Sequence, residues 1–145
     1  MQGCGCPRCN ESHLERSTNS ILNESKIETI REKSFEWLRN DKTGFKLFLD
    51  LYIEGKNVAI ECQGGQHFNI VEGFGGKEEF EKIKYRDLIK NKLCKEHNIK
   101  LIYVIDKKFK RFLSQKQFKG IYLQNVLLIE DIEKDKNILL NLING

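Results

Sequence analysis

Alternation of hydrophobic and polar residues predicts a strand near the middle of the chain. In the stretch FKLFLDLYI every second residue is apolar, which is the period of a half-buried strand. The residues predicted to share its inner face are Phe45, Leu47, Leu49, Leu51 and Ile53. Gly55-Lys56 and a second apolar stretch, VAIECQ, follow. A type II′ turn prefers glycine at its first position, so the two strands are predicted to form an antiparallel hairpin.

Helices and further strands are predicted on both sides of this hairpin. Ser12 and Glu15 have the spacing of a capping box, which predicts a helix from Ser12 to about Ser25. Residues 77–97 are typical of a long helix, and IKLIYVID is typical of a buried strand. A strand near Val126 and an amphipathic helix over residues 130–142 complete the chain. Residues 27–33 could be a strand and residues 35–39 a turn or a short helix. This order predicts an α/β fold, a single domain in which helices flank a mixed β-sheet.

Composition limits the classes of protein to which the chain could belong. It has 145 residues, of which 39% are hydrophobic, so one domain with a substantial core is expected. No apolar run approaches the ~20 residues of a membrane span, and no signal peptide is evident. We therefore expect a cytoplasmic protein without a membrane partner. The net charge is +4, but residues 77–119 alone carry 14 Lys and Arg against 6 Asp and Glu. This basic segment favours either a polyanion partner or a solvated lysine-rich helix.

Two acidic residues are predicted to face each other across the hairpin. If Gly55 and Lys56 form the turn, the register places Asp50 opposite Glu61. Directly opposed side chains have Cβ atoms roughly 4.5–5.5 Å apart, so the carboxylates would repel each other unless a cation neutralised them. Gln63 would project from the same face as Glu61. The alternative is that both acids face solvent on an outer strand.

An acidic residue and a histidine extend this pattern beyond the hairpin. Asp87 falls on the apolar stripe of the predicted helix, between Phe80 and Ile83 in projection. It could belong to a site or form a salt bridge with Lys84 or Lys90, as is common on helices. His67 follows Gln63 by four residues in a glycine-rich loop, where it could be structural or catalytic.

Four segments of the chain resemble one family of nucleases. They are GCPRCNESHLERSTNSIL, FLDLYI, IECQGGQHF and FGGKEEFEKIKYRDLIKNKLCKEHNIKLIYV, which together cover most of residues 5–104. In this order they are similar to the very-short-patch-repair and EDxHD homing endonucleases of phages and bacteria. These nucleases belong to the PD-(D/E)xK superfamily, which has a restriction-endonuclease-like fold. The resemblance therefore implies an endonuclease that hydrolyses phosphodiester bonds in DNA.

The resemblance assigns roles to individual residues. Asp50 would be the central metal-binding aspartate, Glu61 would be the acid of the (D/E)xK element, and Gln63 would occupy the lysine position of that element. In the EDxHD pattern, Glu15 would be the leading glutamate, His67 the histidine and Asp87 the final acid. Asp50 and Glu61 would hold Mg²⁺, for which Mn²⁺ could substitute, and His67 would transfer a proton. Gln63 is a departure from the pattern, because an amide cannot supply the positive charge of a lysine.

Basic residues on the predicted helix and after the following strand would neutralise DNA phosphates. They are Lys84, Arg86, Lys90, Lys107, Lys108, Lys110 and Arg111. A nucleic-acid-binding module of low catalytic activity, or a phage structural protein that retains the nuclease fold, is an alternative to the enzyme.

A cysteine cluster precedes the predicted nuclease domain. Cys6 and Cys9 have the C-x-x-C spacing of half a zinc site, and a structural site needs four ligands. Cys4 and His13 could complete it, or the motif could be a relic. Residues 1–11 are predicted to be an irregular tail and residues 12–145 the nuclease domain.

Overall fold

A five-stranded mixed sheet lies at the centre of the fold. The computed structural model describes residues 7–68 and 76–145, and it describes side chains from His13 onward except for that of Gln66. The strands are β1 (Ile30–Lys33), β2 (Leu49–Ile53), β3 (Val58–Gln63), β4 (Lys100–Asp106) and β5 (Val126–Ile129), and they lie side by side in this order. β1, β2 and β3 pair antiparallel, whereas β3, β4 and β5 pair parallel.

Helices cover both faces of the sheet. α2 (Gly76–Glu96) connects β3 to β4 and packs on one face through Phe80, Ile89 and Cys94. α1 (Pro7–Glu24) and α3 (Ile132–Asn144) pack on the other face. The predicted α/β class, with a mixed sheet flanked by helices in one domain, is confirmed. Within the described residues, no helix has the length and apolarity to cross a membrane.

The first helix begins earlier than predicted. α1 starts at Pro7, so Ser12 lies inside the helix and the predicted capping box is wrong. Proline is favoured in the first turn of a helix because the missing N–H would have no intrahelical acceptor there. Residues 7–11 are therefore helical rather than irregular. The predicted zinc site at Cys6 and Cys9 lies outside the described part of the chain, which does not include residues 1–6 or the Cys9 side chain.

The hairpin has the predicted register but a different turn. Ile53 pairs with Val58, as the prediction requires. The connection is a 3₁₀ turn over Glu54–Lys56 followed by Asn57, whose φ of 55° lies in the left-handed region. Asparagine tolerates this conformation better than most residues. The Asn57 side chain also accepts a hydrogen bond of 2.6 Å from the Tyr52 hydroxyl. A longer connection therefore produced the expected pairing.

The predicted inner face of β2 is divided between the two faces of the sheet. Leu47 and Leu49 pack on the side of α2, whereas Leu51 and Ile53 pack on the side of α1 and α3. Phe45 precedes the strand and is 75% exposed. Strict alternation thus fails on either side of Asp50, where the regular ladder ends.

The N-cap of α3 provides a test of the fold. The Asp131 side chain accepts a hydrogen bond of 2.9 Å from the Glu133 N–H. Asp131→Ala is expected to lower the free energy of unfolding by about 1 kcal/mol, because the N–H loses its partner. Urea denaturation would measure the change. Asn137→Ala, at an exposed position within α3, is the control and should change stability by less than about 0.5 kcal/mol. Equal losses in the two variants would contradict the capping role.

Candidate active site

Asp50 and Glu61 lie where β2 and β3 separate, and each is tied to the neighbouring strand. The Cys62 N–H donates to Asp50 Oδ2 at 2.8 Å, and the Asp50 N–H donates to Glu61 Oε2 at 2.8 Å. The regular β2–β3 ladder ends at the pairing of Leu51 with Ile60. Beyond that pair, backbone N–H groups donate to the carboxylates of Asp50 and Glu61 instead of to backbone carbonyls of the neighbouring strand. Both acids line one cavity, in agreement with the predicted juxtaposition.

Negative charge is concentrated at this point. Burial and the charge of Glu61 raise the pKa of Asp50 well above its usual range, although Lys90 acts in the opposite direction. Lys90 Nζ lies 2.9 Å from Glu61 Oε1, and the Glu61 side chain is only 3% exposed. Burial opposes the protonation of Lys90, but the charges of Glu61, Asp50 and Asp87 outweigh it and raise the pKa of Lys90. Lys90 is therefore a cation held within an acidic cluster.

His67 and Asp87 form a second pair in the same cavity. His67 ends a 3₁₀ turn, Gly65–His67, that follows β3, whereas Asp87 lies on the buried face of α2. His67 Nδ1 and Asp87 Oδ2 are 2.7 Å apart. When the imidazole is neutral, an Nδ1–H donated to Asp87 makes Nε2 the nitrogen that can accept a proton. The pair thus has the arrangement of a general base and the residue that orients it.

The structure brings together five of the six residues that the resemblance assigns to the site. Residues from α1, β2, β3, the following 3₁₀ turn and α2 line one cavity, and they are Glu15, Asp50, Glu61, His67 and Asp87. Glu15 lies inside α1, where Arg31 donates to its carboxylate at 2.6 Å and 3.0 Å. The capping role predicted for Glu15 is therefore wrong, while its position near Asp50 agrees with the resemblance.

Gln63 is the residue that does not line this cavity. Its side chain is 1% exposed and lies near Tyr122, whose hydroxyl donates to Gln63 Oε1 at 3.4 Å. Gln63 Nε2 is buried and has no hydrogen-bond partner among the described residues. Gln63 instead lines a separate cavity, together with Gly64, Gly65 and Asp106. A direct role for Gln63 at the acidic cluster thus lacks geometric support.

Two residues of the cavity were missed by the sequence analysis as members of the acidic site. Lys90 was considered only as a phosphate contact or a salt-bridge partner of Asp87. It lies three residues after Asp87 on α2, and this spacing already placed the two on one helical face. Glu32 lies between Arg31 and Lys33, which pair with Leu51 and Leu49 of β2, and it lines the cavity and has a φ of 52°. No sequence signal indicated Glu32, because the pairing of β1 was not predicted.

The donor atoms of the cluster suit a hard divalent cation. Carboxylate oxygens are the ligands that Mg²⁺ and Mn²⁺ prefer, and a bound cation would oppose the burial and the Glu61 charge that raise the pKa of Asp50. Among the described residues, no group of three or more His, Cys, Asp and Glu side chains is placed to hold a metal. Mg²⁺ commonly uses one or two carboxylates and completes its shell with water and phosphate oxygens. Asp50 and Glu61 fit that pattern.

The basic residues predicted to contact DNA have different environments. Lys84 Nζ lies 3.1 Å from Glu81, and its side chain is 13% exposed. Lys90 belongs to the acidic cluster. Arg86 lines the cavity and pairs with Glu79 at 2.8 Å, and Lys107 pairs with Glu130 at 3.0 Å. The exposed side chains in the 3₁₀ segment Lys107–Phe112 are Lys107, Lys108, Lys110 and Arg111. Four of the seven thus have carboxylate partners within the protein, namely Lys84, Arg86, Lys90 and Lys107.

Comparison with known proteins identifies viral relatives. The chain is 40% identical over 82 residues to uncharacterized protein 094L of Frog virus 3, which is 52% of this chain and 53% of that protein. It is 32% identical over 75 residues to uncharacterized protein 307L of Invertebrate iridescent virus 6, which is 48% of this chain and 38% of that protein. The chain thus spans about half or less of these relatives. No family profile and no solved structure matches the chain.

Removing the charge of Asp50 is expected to stabilise the metal-free protein at neutral pH. Because the folded state raises the pKa of Asp50, it binds the proton more tightly than the unfolded chain does. The resulting stabilisation of the folded state is fully present below the unfolded-state pKa of Asp, ~3.9. It is lost as the pH rises through the folded-state pKa of Asp50. Asp50→Asn keeps an acceptor for the Cys62 N–H and does not titrate. Its stability advantage should therefore grow with pH, by about 1.4 kcal/mol for each unit between the two pKa values.

Urea denaturation in EDTA, from about pH 4 to about pH 8, would measure this advantage. Asp106→Asn is the matched control, because Asp106 also accepts a backbone N–H, that of Lys108 at 2.9 Å, outside the cluster. A difference between wild type and Asp50→Asn that stays constant over this range would show that Asp50 titrates normally.

Proposed function

We propose that this protein is a metal-dependent endonuclease that hydrolyses phosphodiester bonds in DNA. The observation that carries the proposal is the convergence of Glu15, Asp50, Glu61, His67 and Asp87 on one cavity. These residues come from elements far apart in the chain, and they are residues that the resemblance to EDxHD nucleases assigns to one site. A fold without catalytic function has no need to gather four carboxylates and an imidazole, since buried acids oppose one another's ionisation.

The roles of the residues follow from their contacts. Asp50 and Glu61 would hold Mg²⁺ or Mn²⁺, which when bound polarises the scissile phosphate and lowers the pKa of a water ligand. His67 transfers a proton to or from the reacting oxygens, because Nε2 can accept one while Nδ1 is held by Asp87. Asp87 is a positioning residue that fixes the orientation of the imidazole through Nδ1.

Lys90 supplies the positive charge that Gln63 lacks. In the resemblance the (D/E)xK lysine would occupy position 63, but Gln63 is buried beside Tyr122. Lys90 instead reaches the cluster from α2 and contacts Glu61. A fixed cation there can stabilise negative charge that develops on the phosphate in the transition state. The site thus retains the charge pattern of the resemblance with the lysine on a different element.

A nucleic-acid-binding module of low catalytic activity is the second candidate. The observation that favours it is the 2.9 Å contact between Lys90 and Glu61, because an ammonium on Glu61 competes with a metal for the same carboxylate. In that case the basic surface would bind DNA while phosphodiester hydrolysis stayed slow. Cleavage assays separate the two candidates.

Supercoiled plasmid, incubated with Mg²⁺, with Mn²⁺ or with EDTA, tests the proposal directly. We expect nicked or linear product with either metal and none with EDTA. Asp50→Asn should abolish cleavage because a metal ligand loses its charge, while DNA affinity at fixed salt should change by less than about threefold, since phosphates are contacted elsewhere. Asp106→Asn is the charge-matched control. Product at the wild-type rate from purified Asp50→Asn would refute the assignment, and DNA binding without cleavage by wild type would favour the second candidate.

The role of His67 can be measured against another histidine of the same chain. His67→Ala should lower the single-turnover cleavage rate by about 10²–10⁴, the usual contribution of a positioned acid–base residue. His97→Ala is the control, because His97 is exposed and stacks on Trp37 with ring centroids 3.7 Å apart. If His67→Ala cleaves as fast as His97→Ala, then His67 is structural and the reaction proceeds without it.

A further inference from the structure

The hairpin of residues 38–47 displays an aromatic side chain that the core does not use. The Leu47 N–H donates to Leu38 O at 2.8 Å, the Asn40 N–H to Phe45 O at 2.9 Å and the Gly44 N–H to Asn40 O at 2.7 Å. Leu38 and Leu47 are buried and anchor the base of the hairpin. Phe45 is nevertheless 75% exposed. An ordered backbone therefore holds a phenyl ring in water.

Arg39 and Gly44 fix the tip of the hairpin. Gly44 has a φ of 77°, a conformation that favours glycine, and Arg39 Nη1 donates to Gly44 O at 2.8 Å. The backbones of Arg39 and Lys46 also form an antiparallel β-bridge across the hairpin. The position of Phe45 is thus set before a partner arrives, so binding there loses little additional conformational entropy.

A basic groove runs between this hairpin and the first turns of α2. Its walls contain two aromatic side chains, Phe45 and Tyr85, together with five cationic and two anionic side chains. The cationic residues are Lys42, Lys46, Lys77, Lys82 and Arg86.

The groove adjoins the candidate active site. Lys46, Leu47 and Arg86 line both cavities. Phe48 is 49% exposed and lines the active-site cavity. A polyanion bound in the groove would therefore pass directly to the acidic cluster.

Cations and exposed aromatic rings together indicate a single strand rather than a paired duplex. Lysines contact phosphates in either form, but an aromatic ring stacks only on a base whose face is accessible. In a continuous duplex both faces of each base are covered by its neighbours. Resting on the nuclease function proposed above, we propose that the groove binds unpaired DNA beside the scissile phosphate, with a base stacked on Phe45.

This arrangement defines the class of substrate. The preferred DNA would contain a junction at which duplex gives way to single strand, such as a flap, a splayed arm or an unpaired bubble. The strand that enters the groove would place its phosphates along Lys42, Lys46 and Lys82. The phosphate at the junction would then lie nearest to Asp50 and Glu61.

Fluorescence anisotropy in EDTA measures this binding without cleavage. The probes are a splayed-arm DNA and a fully paired duplex of the same length and labelled strand. Phe45→Ala should weaken binding of the splayed-arm DNA roughly 5- to 150-fold, the effect of losing one stacked base, and change duplex binding by less than about twofold. Phe45→Trp should retain the preference because indole also stacks. Leu123→Ala is the matched control, since Leu123 is 69% exposed and does not line the groove.

Each outcome supports or overturns the proposal. Equal weakening on both DNAs, or no weakening on either, would show that Phe45 does not stack on an unpaired base. A wild-type dimer that Phe45→Ala converts to a monomer in sedimentation would identify the ring as a contact between copies instead. The nuclease proposal is judged separately by plasmid cleavage. If binding behaves as expected and no DNA is cleaved, the stacking surface stands and the nuclease function falls.

Discussion

The candidate site depends on compensating negative charge at the point where β2 and β3 separate. Asp50 and Glu61 cannot both be ionised and buried there without donors nearby. Two backbone N–H groups and the ammonium of Lys90 supply them. This requirement explains why the strand ladder stops at Leu51 and Ile60, and why a lysine of α2 points toward the sheet. Local strand geometry and the packing of α2 are thus coupled through one electrostatic constraint.

The same constraint organises the cavity around the pair. α2 carries Asp87 on the face that bears Lys90, and Asp87 in turn holds His67 at the end of the turn after β3. An imidazole held by Asp87 therefore lies in the cavity that Asp50 and Glu61 also line. The separation of the two pairs is what a division between cation binding and proton transfer would require.

Most of the elements were predictable because their signals are local. The apolar stretches of β3 and β4 and the long helix α2 were predicted, and so was the hairpin register that pairs Ile53 with Val58. Other features depend on distant contacts. The alternation in FKLFLDLYI predicted one inner face, yet Leu49 and Leu51 pack on opposite sides of the sheet. Carboxylate-to-backbone hydrogen bonds, which hydrophobic periodicity cannot represent, interrupt the regular strand there.

By itself the sequence determined the class of fold, the register of the hairpin and the stripe of α2 that carries Asp87, because turn chemistry and residue periodicity act over a few neighbouring residues. Only the resemblance implied that Glu15 of α1 would lie near Asp50 and Glu61. The local residue pattern indicated a capping role for Glu15 and no other. Tertiary structure alone decided that Gln63 turns toward Tyr122, that Lys90 enters the acidic cluster and that Glu32 lines the cavity with Asp50. The physical reason is that buried charges are satisfied by whichever partners packing brings within reach, irrespective of their separation along the chain.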